Sequence, residues 1–273
     1  MGMGDDIAGL KAAKAKLFSL QAETGAFAGE VRNGDLALPD YNGFVTALVL
    51  REMEGFADAE CDGVVRRALD FLEDCISPES GMCTFWPPER CPEWVPYNPE
   101  DCDSTVVIAA ELFQFGRLTD GVGVRRTLDA LSGFQVRGGG FRAWRTDGVV
   151  ANRVDLVITV NVIAFLAQTG YRDSAMYGNA CREVNEMVAA SEGDPGQLDR
   201  LTPYYPDVLE VMLAFENAML RGARDLSAAA ARFLPLFAAS GDRTGTLIAN
   251  EGRRTRWFSE AVEVARTIRR GAA

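Results

Sequence analysis

The sequence predicts an all-α protein, an α/α toroid (barrel) of about five helical hairpins with inner and outer rings of helices. Three observations predict it. An Asp-to-Gly unit recurs at one fixed length, apolar units alternate with amphipathic ones, and strand signals are almost absent.

The repeat is clearest in DCDSTVVIAAELFQFG (Asp101 to Gly116) and DLVITVNVIAFLAQTG (Asp155 to Gly170). Both read Asp-x3-Thr-Val, then place Leu, Gln and Gly at the same offsets. Fainter copies run from Asp40 to Gly55 and from Asp207 to Gly222, and a fifth, Arg256 to Gly271, keeps the length and the Gly but not the Asp. Asp before an apolar run is a favoured N-cap, and Gly after it supplies the left-handed residue that ends a helix.

Taken along the chain, 7–22 is amphipathic and predicts the first outer helix, and 40–55 the first inner one. Segments 61–76, 122–134, 173–190 and 225–239 carry charge on one face and continue the outer ring. Segments 101–116 and 155–170 are apolar on nearly all sides, as a buried helix must be, and 207–222 and 256–271 follow as inner helices. Hairpins of this kind bury a continuous core only by stacking side by side, and closing the stack makes a toroid. An open solenoid is the competing architecture.

Links from outer to inner helix are long, at 23–40, 78–101, 135–154, 191–206 and 240–255. They belong at one end of the barrel, beside the N-termini of the inner helices, where function tends to sit. Several pair Gly with an aromatic: Gly25 with Phe27, Gly81 with Phe85 and Trp86, Gly140 with Phe141 and Trp144.

Composition narrows the chemistry. A hydrophobic content of 48% in 273 residues supports one sizeable core, and no apolar stretch is long enough to span a membrane. The net charge of −11 disfavours nucleic acid or an anionic membrane as partner, and the expected location is cytoplasmic. The chain has no histidine, which excludes His-based triads and His-ligated zinc. The six cysteines form no CxxC pair and read as reduced thiols packed in the core.

The stretch NPEDCDSTVVIAAELFQFG resembles the aspartate motif of class II terpene cyclases, written Asp-x-Asp-Asp before Thr and an apolar helix. The matching residues are Asp101, Cys102, Asp103, Ser104 and Thr105, with Ser104 where the family usually has a third aspartate. The Gly-aromatic turns resemble repeats of squalene-hopene cyclases and prenyltransferase β subunits. The resemblance implies an isoprenoid substrate and a middle aspartate that protonates an alkene or epoxide. By position that acid is Asp103, with Asp101 and Ser104 as catalytic neighbours. A paired carboxyl and burial raise its pKa, and the helix N-terminus strengthens it as an acid.

A carbocation needs aromatic faces rather than bases. Trp86, Trp94, Tyr97, Phe141, Trp144, Tyr204, Tyr205 and Trp257 fall in the long links or at their edges and are the expected substrate wall. Arg142, Arg145 and Arg254 belong to arginine groups on the same side, suited to a prenyl diphosphate if they face inward and to surface ion pairs if they do not. A diphosphate would bring magnesium as a cofactor. Gly138-Gly139-Gly140 is a weak candidate phosphate loop.

For most of these residues a bland account competes. Asp101 is explained as a cap, since Asp40, Asp155 and Asp207 recur at its position, whereas Asp103 stands where the other copies have Asn42, Val157 and Leu209. The alternative function is a non-catalytic isoprenoid- or protein-binding toroid acting as a partner subunit. A homo- or hetero-oligomer covering the barrel mouth fits either reading. An α/α-barrel glycosidase would set Asp101 or Asp103 against Asp155 or Glu251.

Overall fold

A computed structural model describes residues 3–119, 121–145, 152–192, 194–240, 244–250 and 253–272. Four Asp/Asn caps open the inner helices. Asn42 accepts from the Val45 amide to start α2 (Gly43–Met53), and Asp101 accepts from Ser104 to start α4 (Cys102–Gln114). Asp155 starts α6 (Leu156–Gln168) and Asp207 starts α9 (Val208–Leu220) in the same way. Gly116, Gly170 and Gly222 take positive φ after α4, α6 and α9, and the next residue's amide returns to a carbonyl five back, so the expected Gly stops are real.

The first and fifth copies depart from that rule. Asp40 is not the cap, because Asn42 sits one residue before α2 and takes the role. The fifth inner helix, α11 (Glu260–Ala272), starts later than expected; the Val262 amide donates to Ser259 Oγ, and residues 256–258 are strand.

The outer elements are α1 (Met3–Ser19), α3 (Asp62–Glu73), α5 (Gly121–Leu131), α7 (Ala175–Ala190) and α10 (Ser227–Ser240), with a single extra turn, α8 (Leu198–Leu201). The helices α2, α4, α6 and α9 pack side by side in chain order, and α11 packs on α2. Arg266 of α11 reaches both carboxylate oxygens of Glu210 on α9, at 2.7 and 2.8 Å. Outside them, α3 packs on α2 and α4, α7 on α6, α10 on α7 and α9, and α1 on α11.

The protein is helix-rich but not all-α. Strands β1 (Gly29–Asn33), β2 (Leu36–Asp40), β5 (Ile248–Ala249) and β6 (Thr255–Phe258) form an antiparallel sheet in the order β2-β1-β6-β5. A second pair joins β3 (Cys83–Thr84) to β4 (Glu100–Asp101). These strands are two to five residues long, too short for alternation to register. One signal was present, since Asn33-Gly34-Asp35 is a tight-turn sequence and Asn33 pairs with Leu36 across a two-residue loop. The β1–β6 pairing ties the first long link to the last, and so joins the two ends of the chain.

A threonine motif fastens the links to the helices. Thr46, Thr105 and Thr159 each donate to the carbonyl four residues back. In turn each hydroxyl accepts from an amide in the preceding link, that of Phe27, Cys83 or Phe141. The shared Thr of the repeat is thus the peg on which each Gly-aromatic turn hangs. No helix among the described residues is long and apolar enough to cross a membrane.

Candidate functional site

A chamber of about 520 Å³ opens at the N-terminal ends of the inner helices. Its floor is the first turn of α4, with Asp101, Asp103 and Ser104 all lining it. Its walls come from the links: Phe85, Trp86, Trp94 and Tyr97 from one, Trp144 from the next, then Tyr204, and Ile248 with Trp257 from the sheet. All four tryptophans of the chain line this chamber. The volume suits a drug-sized organic ligand.

Asp103 is buried at 3% exposure, and its two contacts are neutral donors. Asn161 Nδ2 donates to Oδ1 at 3.0 Å, and the Tyr205 hydroxyl donates to Oδ2. Burial raises its pKa, while the Tyr205 and Asn161 hydrogen bonds and the more distant Arg51 charge pull it down. Burial disfavours the charged form of this carboxyl, and the two donors favour it. Asp101 is buried too, and burial raises its pKa to about 7, opposed by the Ser104 hydrogen bonds and reinforced by the charge of Asp103. Ser104 contributes its amide to Asp101 rather than a third carboxyl.

The aromatic wall is held by a carboxylate that sequence reading took for a cap. Asp40, 1% exposed, accepts from Trp86 Nε1 at 2.7 Å, from Trp257 Nε1 at 3.1 Å and from Asn42 Nδ2. Rings then brace one another, with Phe85 edge-on to Trp86 at 4.5 Å and to Trp257 at 5.4 Å, and Trp94 edge-on to Trp86 at 5.7 Å. Across the chamber Trp144 meets Tyr204 at 5.6 Å. Trp94 and Tyr97 are 41% and 70% exposed, which places them at the rim.

Several expected wall residues lie elsewhere. Phe141 is fully buried, its amide bonded to Thr159, and belongs to the core. Tyr205 sits behind Asp103 and donates to it rather than facing the chamber. Among the described residues no arginine lines the chamber. Arg145 lies over the Phe134 ring and donates to the Ala130 carbonyl beside α5, Arg142 is half-buried on a strand bridge to Val154, and Arg254 is exposed. The glycine run is a packing device: a Cβ on Gly138 would strike Glu183 and one on Gly139 the Asn179 carbonyl, both on α7.

Asp155 is not an opposed catalytic carboxylate. It accepts from the Val157 and Ile158 amides, from the Thr202 hydroxyl and from the Tyr204 amide, so it pins the link carrying Tyr204 and Tyr205. Glu251 lies outside the described residues. Asn161 and Asp40 went unrecognised in the sequence. Asn161 had a signal, being the one amide in the interior of LVITVNVIAFL. Among the described residues no three acidic or thiol side chains are grouped to hold a metal.

No family model matches the sequence, and no curated protein matches it. Solved structures do match. The type II terpene cyclase MstE from Scytonema, in its apo form, is 13% identical with a TM-score of 0.60, the match covering 98% of this chain and 78% of that one. A variant of MstE in complex with geranylgeranyl dihydroxybenzoate as substrate is 14% identical at TM-score 0.56, covering 97% and 77%. A protein from Actinoplanes is 14% identical at TM-score 0.58, covering 95% and 73%. At such identities the likeness speaks for the backbone alone, and this chain has the fold of a type II terpene cyclase.

Proposed function

We propose that the chain is a single α/α-toroid domain that cyclises or isomerises an isoprenoid by protonating it, with Asp103 as the general acid. The observation that carries this reading is the setting of Asp103. It is a buried carboxyl on the floor of an aromatic chamber, and among the described residues its side-chain hydrogen bonds come from two neutral donors. Its proton goes to a double bond or epoxide seated above the floor. Tyr205 and Asn161 then stabilise the carboxylate left behind, and the indole and phenyl faces stabilise the cation without offering it a base. The cascade ends when a proton returns to an acceptor, so the enzyme is restored without a redox partner.

Asp101 supports the acid by position, and Ser104 by capping geometry. Asp40 fixes two of the ring faces. The absence of histidine is no obstacle, since nothing in this scheme requires one.

The test is turnover of farnesyl and geranylgeranyl compounds, as free alcohols and as diphosphates, by the wild type and by Asp103→Asn. Cyclic products that disappear in Asp103→Asn support the acid role. Identical product profiles from both proteins remove it and leave a binding protein on the same fold.

A further inference from the structure

Three devices by which a protein binds a diphosphate lie, among the described residues, outside the chamber lining or are engaged by the protein itself. All three lysines, Lys11, Lys14 and Lys16, are on α1 in the outer ring. Among the described residues no arginine lines the chamber. Arg253, which does lie on the adjoining link, is paired with Asp199 and donates to the Thr202 carbonyl.

Helix N-termini are the second device, since their free amides and positive dipole ends attract phosphates. Here those ends are already capped by the protein's own side chains. Asp101 holds the Ser104 amide, Asp155 holds those of Val157 and Ile158, Asp207 holds that of Leu209, and Asn42 holds that of Val45. The third device is a glycine loop that lets the backbone approach a phosphate. Gly138 and Gly139 are pressed against Glu183 and Asn179 of α7 instead.

The surrounding charge points the same way. Asp40, Asp101, Asp103 and Asp155 are buried around the chamber's floor and walls, and the chain as a whole carries −11. A dianionic head group would meet carboxyl groups on the chamber floor and, among the described residues, no arginine or lysine in its lining. The rim offers Tyr97, Asn250 and Thr255, which are neutral hydrogen-bonding groups.

From these placements we infer that the substrate is an isoprenoid with an uncharged head, a free polyprenyl alcohol or a prenyl group on a neutral arene, and not a prenyl diphosphate. This rests on the cyclase reading for the word substrate, but the binding preference stands apart from catalysis. The four tryptophans make it measurable, because all of them line the chamber and their emission reports directly on what enters.

Wild-type protein is titrated with farnesol and geranylgeraniol and with their diphosphates, following tryptophan emission at low and high salt, and turnover is measured in parallel. The expected result is binding of the alcohols at least about tenfold tighter than the diphosphates, with little salt dependence. Diphosphates that bind as well or better, with affinity falling as salt rises, overturn the inference, as does binding of neither class. The two readings fail separately. Alcohols that bind but are never converted sink the acid role of Asp103 and leave the head-group preference intact. Diphosphates that bind and are cyclised through Asp103 do the reverse.

Discussion

The two ends of the inner helices handle buried charge in opposite ways. At the mouth, Asp101, Asp103 and Asp155 are held by amides and hydroxyls, and Asp40 by two indoles and an amide. At the far end a smaller cavity of about 240 Å³ is walled by matched ions. Arg266 joins Glu210 and Glu52, Arg51 and Arg221 both face Glu111, and Arg269 meets Glu52. Burial raises the pKa of Glu111 to about 8 and raises that of Glu210 as well, opposed by Arg51 and Arg221 at Glu111 and by Arg266 at Glu210. The ends differ in their partners: at the far end the buried carboxylates are joined by arginines, and at the mouth they are held by neutral donors.

The sharpest break of that comparison sets one substitution at each end. Arg266→Ala leaves Glu210 buried without its partner, and chemical denaturation is expected to show a loss of about 3–5 kcal/mol. Asp103→Asn keeps the shape of its site, since an amide fits where the carboxyl did. Its stability is expected to change by less than about 1 kcal/mol while turnover falls by roughly two to four powers of ten. Equal stability losses at both ends would mean that the mouth carboxyls are structural.

A pH series separates the ends next. Asp101 and Asp155 have their pKa values raised by burial to about 7 in the folded protein, above the ordinary 3.8 of an aspartate. Between those values the folded chain binds more protons than the unfolded one, so stability falls as pH rises. Urea midpoints are expected to drop between pH 5 and pH 8, with a combined loss on the order of 2–4 kcal/mol, and Asp101→Asn should flatten part of the slope. A slope unchanged in Asp101→Asn would show that this carboxyl is ionised throughout.

How much of this was legible depends on how local the cause is. The caps Asp101, Asp155 and Asp207 and the stops Gly116, Gly170 and Gly222 act within one turn of their own helices, and the spacing displayed them. Asp103 was legible as the acidic residue its sister copies lack. Asp40 was misread because its partners Trp86 and Trp257 lie 46 and 217 residues away, a pairing no local pattern contains. The arginines failed for a related reason. Position in a link places a backbone near the mouth, but whether Arg145 turns inward or lies over Phe134 is decided by tertiary packing.

Asp40→Asn tests the wall of the mouth by itself. The amide has one acceptor oxygen where the carboxylate has two, so an indole N–H loses its partner. Stability is expected to fall by about 1–3 kcal/mol, and tryptophan emission to shift as Trp86 or Trp257 is released. An unchanged emission spectrum would mean that the rings are held by one another and not by Asp40.

One glycine from each end extends the comparison to the backbone. Gly116, after α4 at the far end, has φ +73, and no atom lies within 4 Å of the place its Cβ would take. Its requirement is conformational only, and Gly116→Ala should cost about 1 kcal/mol. Gly139, in the mouth link, has φ +116, and a Cβ there would lie 2.4 Å from the Asn179 carbonyl oxygen. That contact is with helix backbone, which cannot step aside cheaply, so Gly139→Ala should cost more, about 2–3 kcal/mol. It should also loosen Phe141, whose amide is pegged to Thr159, and with it the stretch leading to Trp144. If thermal denaturation finds the two alanines equal, the mouth links are soft enough to yield, and the chamber owes its shape to its aromatic wall rather than to the pegged turns beneath it.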